Sequence, residues 1–173
     1  MNRLTHFFIW LSRITHCRGF GVQSPTDYAF VRYVINEHWP YYKYAEVGQG
    51  DDWLTHRLGC LYFRLANWRQ PENYLAPNCY QAYIEAGCQK ARKVQKPEDR
   101  VGLAVVQAER DAKQLIAASD SELILVLDRL YRNRALWTEI VENPKATVIF
   151  DLYYCGIVFF NPKRVKQHYI VNF

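Results

Sequence analysis

Two short apolar runs constrain this chain more than any other feature. Residues 101–106 read VGLAVV and residues 123–127 read LILVL, with a helix-length segment, 111–118, between them. A strand with one face in water alternates apolar and polar side chains. A strand apolar on both faces has to be covered on both, as in a parallel sheet between helical layers. A right-handed crossover then joins the two strands. The unit repeats after Asp128 with the amphipathic stretch 132–142, which carries Leu136, Trp137, Ile140 and Val141. Residues 146–160, ATVIFDLYYCGIVFF, supply two further apolar strands. Gly156 is expected to form the tight turn that makes this pair antiparallel. Residues 167–173 follow as a short extended tail.

The first 70 residues read differently. Leu4, Phe7, Phe8, Leu11 and Ile14 recur at helical spacing. Arg3, Arg13 and Arg18 flank that stripe and make a membrane-surface helix one alternative. Ile9 and Trp10 widen the apolar face and favour docking on the domain. Ser24, Pro25 and Asp27 form a helix start: a cap, a pre-set first turn and a charge that suits the helix dipole. That helix buries Phe30, Val31, Val34 and Ile35 and runs to about His38. Residues 41–50 read as a connection, with Tyr41 to Tyr44 covering the sheet edge. Asp51 or Asp52 caps a third helix whose stripe is Leu54, Leu58, Leu61, Tyr62 and Leu65, and Pro71 stops it. Residues 73–77 and 91–94 are short strands around a helix over 79–89. The organisation expected is a helical segment, 1–70, packed on an α/β core, 71–173, in one compact domain.

With 173 residues, half of them hydrophobic, the chain can bury a sizeable core. Its net charge of +5 permits an anionic partner without demanding one. The five cysteines show no Cys-x-x-Cys spacing and no His at a zinc-ligand offset. Scattered thiols in odd number point to a reducing, cytoplasmic setting. The apolar run 7–11 is short and no cleavage site follows it, so neither a signal peptide nor a membrane span is expected. His16, His38 and His56 lie on or beside helices with no Ser or Cys companion at a readable offset.

A mostly parallel sheet that ends in an antiparallel hairpin resembles the class I S-adenosylmethionine-dependent methyltransferases. Residues 136–140, 147–160 and 166–173 are similar to the end of a bacterial group of these enzymes. GVQSP over 21–25 resembles that group's His-Ser-Pro-Phe sequence, with Gln23 and Thr26 departing from it. Residues 59–65 and 71–75 are similar to the helix and strand that lead into the cofactor site. The resemblance implies a Rossmann-like fold in shortened form, and it makes Asp151 and His168 structural. It also implies a site at the carboxyl ends of the strands, and there this chain departs.

Ala76 stands where the resemblance implies an acid, and Asn78 and Ala82 where it implies glycines. Pro77 and Tyr80 add bulk to that loop. For the acid that would hold the ribose hydroxyls, only Glu98 is on offer, beyond a proline. Gln107 stands where an Asp is implied. Asp128 keeps an acid at its strand end, but Leu127 replaces its neighbour, and one carboxylate does not make a magnesium site. Asn78, Gln107 and Asp128 are therefore the residues of a vestigial cleft.

The function expected is a shortened, degenerate methyltransferase-like protein with lost or impaired cofactor binding, holding no cofactor. One alternative is an active enzyme that uses S-adenosylmethionine, with Glu98, Gln107 and Asp128 lining the cleft. Another is a non-catalytic module that binds a protein, a second copy of itself, or RNA through Arg129, Tyr131, Arg132 and Arg134. Nucleic acid is the less favoured partner, and no membrane partner is expected.

Overall fold

The structure is a computed structural model that describes residues 3–39, 41–97 and 100–173. It opens with helix α1 (Arg3–Ser12) and a 3-10 segment (Ile14–Gly19). Helix α2 (Pro25–Phe30) runs on into a π-helical turn (Val31–Ile35). Ser24 caps α2 by accepting from the Asp27 amide at 3.4 Å. Residues 41–50 are more than a connection, because they hold a short helix α3 (Tyr42–Val47). Helix α4 (Trp53–Arg69) starts where Asp52 accepts from the Leu54 and Thr55 amides. It ends at Gln70, left-handed at φ 52°, directly before Pro71.

The α/β part follows in the order β1 (Asn73–Leu75), α5 (Asn78–Gly87), β2 (Arg92–Lys93), β3 (Leu103–Val106) and α6 (Glu109–Ala117). Then come β4 (Ile124–Asp128), α7 (Arg134–Glu142), β5 (Val148–Asp151), β6 (Cys155–Phe159) and β7 (Gln167–Ile170). The seven strands form one sheet in the order β2-β1-β3-β4-β6-β5-β7. The β2–β1, β1–β3, β3–β4 and β5–β7 pairs are parallel, and β6 runs antiparallel to both β4 and β5. The fold is thus α/β with a mixed, mostly parallel sheet. The tail is its last strand.

Each central strand is apolar on both sides because each side meets helices. Leu103, Val105, Ile124 and Val126 pack with Leu58, Leu61 and Leu65 of α4 and Tyr80 and Ile84 of α5. Ala104, Val106, Leu125 and Leu127 pack with Leu115 of α6 and Leu136, Trp137 and Ile140 of α7. Burying a side chain of this kind is worth about 1.5–3 kcal/mol, so the two layers fix the alternation strand by strand.

Three expectations are corrected. The β5–β6 turn is not at Gly156. It is made by 152–154, with Tyr153 left-handed at φ 67° and the Tyr154 amide donating to the Leu152 carbonyl. Gly156 lies inside β6, where the indole of Trp137 rests on it and leaves no room for a Cβ. Tyr41 and Tyr44 cover no sheet edge, since their rings pack on Phe63 of α4. The apolar stripe of α1 does not dock on the domain: Leu4, Phe7, Phe8 and Leu11 are exposed, and the helix is held by its other side. Among the described residues, no helix is long and apolar enough to cross a membrane.

Candidate functional site

In an open α/β sheet the crevice at the carboxyl ends of the strands is where ligands bind. The β3–β4 register pairs Val106 with Leu127, so the next residues, Gln107 and Asp128, stand side by side at those ends. Gln107 Nε2 donates to Asp128 Oδ2 at 2.7 Å. Two of the three expected cleft residues are therefore brought into contact with each other.

Asp128 is buried and its remaining acceptor positions are taken from the α4–α5 side. Tyr62 of α4 donates its hydroxyl to Oδ1 at 2.7 Å. The Tyr80 hydroxyl, from the first turn of α5, lies 3.3 Å from both carboxylate oxygens. The two tyrosine rings meet edge to face at 4.7 Å, and both are fully buried. Burial pushes the Asp128 carboxyl above its ordinary value, against the hydrogen bonds from Tyr62 and Gln107, which favour the charged form. Burial likewise pushes the hydroxyl of Tyr62 well up, and that of Tyr80 upward. Both phenols are locked as donors.

Arg129 follows Asp128 in a left-handed conformation, φ 54°. Its guanidinium donates to Thr55 Oγ1 at 2.8 Å, and the Thr55 hydroxyl in turn bonds the Asp52 carboxylate. The N-terminus of α4 is thereby tied to the end of β4. Asn78, exposed at the start of α5 just after β1, accepts from Lys93 Nζ of β2 at 2.5 Å. Ala76, in the place of the implied acid, is buried next to β1. Glu98 lies outside the described residues. Among the described residues no group of three His, Cys, Asp or Glu side chains is placed to hold a metal.

The other candidates are committed internally. Asp151 has the structural partners expected of a buried acid: Arg13 at 2.9 Å and Arg134 at 3.0 Å. Arg129 is held by Thr55 and Arg134 by Asp151, while the exposed Arg132 lies over the Tyr131 ring. His56, read as lacking a companion, has Cys60 one helical turn on, with Sγ 3.6 Å from Nε2. Tyr83 bonds His56 and donates to Asp51 at 2.6 Å. Burial pushes the Cys60 thiol up, which disfavours the thiolate a nucleophile needs.

Tyr62, Thr55 and Arg129 were not foreseen as part of this cluster. Tyr62 carried a signal, since a tyrosine within a leucine stripe has to find a partner for its hydroxyl. No protein-family model matches the chain, and neither a curated protein nor a solved structure does.

Proposed function

We propose that this chain is a methyltransferase-like protein, resembling the class I S-adenosylmethionine-dependent enzymes, whose cofactor binding is lost or impaired. One observation carries the reading. Tyr80 turns inward from the first turn of α5, buries its ring against Tyr62 and places its hydroxyl on Asp128. An adenosyl ligand at the strand ends needs backbone it can approach and acids that are free to accept. Here Pro77 and Asn78 replace an open turn, and Gln107 and Asp128 satisfy each other.

An active enzyme with an atypical site is supported less well, because the polar groups it would use are spent within the protein. Losing the acid for the ribose hydroxyls costs about 1.5–3 kcal/mol, or roughly ten- to a hundredfold in affinity. Titration calorimetry with S-adenosylmethionine and S-adenosylhomocysteine tests the reading. No saturable heat is expected up to about 1 mM ligand. A micromolar dissociation constant for either ligand would sink it.

A further inference from the structure

Helix α1 inverts the usual order of a surface helix. Its inward side is held mainly by polar contacts. His6 Nδ1 is 2.7 Å from the Tyr154 hydroxyl, and its ring lies 4.1 Å from that of Trp53. Asn172 Nδ2 donates to the Trp10 carbonyl at 3.0 Å. Just past the helix, Arg13 bonds Asp151. Of the helix's apolar side chains, Ile9 packs against the main core. The outward side is Leu4, Phe7, Phe8 and Leu11, one face at the i, i+3, i+4, i+7 spacing. Leu4 is 67% exposed, Phe8 63% and Phe7 54%, and Trp10 and Ile14 are exposed as well. A contiguous apolar face of this kind marks a contact surface.

Charge and size decide what covers it. Residues 1–26 contain Arg3, Arg13 and Arg18 and no Asp or Glu. Arg13 is turned inward onto Asp151, so the positive charge left to this segment is that of Arg3 and Arg18. A second copy would set two basic, acid-free segments against each other, without the opposite charges that flank a helix pair. At 10 residues, α1 is about 15 Å long. That is too short to supply the roughly 800 Å² per partner of a stable interface. A lipid surface needs no such reciprocity. Apolar and aromatic side chains enter the acyl boundary while anionic headgroups meet the positive segment.

Against the sequence expectation of no membrane partner, we propose that the outward face of α1 docks the folded protein on an anionic membrane surface. The contact is peripheral and independent of any cofactor. Co-sedimentation of the full chain with phosphatidylcholine–phosphatidylglycerol vesicles tests it, with pure phosphatidylcholine vesicles alongside. Binding to the anionic vesicles is expected, weaker on pure phosphatidylcholine and weakened by salt. Phe7→Ser with Phe8→Ser should lower the partitioning at least about tenfold. The circular dichroism of this variant should match wild type, because neither ring takes part in the inward contacts. Wild-type protein that stays in the supernatant would overturn the proposal without recourse to any variant. So would equal binding to both vesicle types, or binding that the double variant leaves unchanged. A concentration-dependent dimer that the double variant abolishes would assign the face to a second copy instead.

Discussion

Asp128 is an acid that the fold keeps for itself. It accepts from Tyr62 and Gln107 at 2.7 Å each and lies beside Tyr80. With its carboxyl raised by burial, the folded state favours the protonated form more than the unfolded state does. The stability this gives is fully present below the ordinary carboxylate value and is lost as pH rises through the folded value. Asp128→Asn removes that titration and keeps an oxygen for Tyr62. Its urea midpoint relative to wild type should therefore be more favourable at pH 7 than at pH 4. Asp128→Ala leaves the Tyr62 hydroxyl buried without an acceptor and should cost about 1–3 kcal/mol at both pH values. If Asn and Ala behave alike, the carboxylate is not the hub of the cluster.

Helix α7 comes closest to strand β6 at a small residue. Gly156 sits between Leu127 of β4 and Asp151 of β5, and the Trp137 indole lies directly on it. Gly156→Ala should destabilise by about 1–3 kcal/mol through overpacking, read as a lower midpoint in urea. Pairing it with Trp137→Leu should recover part of the loss if the indole is the obstacle. This glycine also shows what sequence reasoning reaches. Both readings of Gly156 turn on the missing side chain, but the sequence pointed to a turn and the structure uses it for close packing. The strands were legible because two-sided burial leaves a run of β-branched and leucine side chains. The helix starts at Ser24 and Asp52 were legible because capping is local chemistry. The direction of α1 was not, since periodicity defines an apolar face without saying where it points. There the side-chain hydrogen-bond partners of His6 and Arg13, Tyr154 and Asp151, lie more than 130 residues away. In the cleft, Gln107 and Asp128 were legible as neighbours because parallel strands end together. The bond from Lys93 to Asn78 was not, because it joins β2 to α5, two elements set side by side only by the fold.

Among the described residues, the three buried aspartates, Asp27, Asp128 and Asp151, each tie the first half of the chain to the second. Asp27 of α2 receives Arg164 at 2.8 Å and Tyr169 of β7 at 3.2 Å. Asp151 of β5 receives Arg13, and Asp128 of β4 receives Tyr62. The acids therefore link the N-terminal helices to the C-terminal strands, so the two parts should unfold as one unit. Asp27→Asn and Asp151→Asn each weaken a charge-assisted clamp whose arginine is only partly exposed, at an expected cost of about 1–3 kcal/mol apiece. The clamps share no partner, so the double variant should lose the sum of the two to within about 0.5 kcal/mol. Urea unfolding followed by both tryptophan fluorescence and far-ultraviolet circular dichroism checks this. One transition at a lower midpoint, with an unchanged slope, is the expected outcome. A second transition, or a reduced slope in the double variant, would mean that the N-terminal helices come away separately. The α1 surface would then sit on a detachable arm and not on the body of the fold.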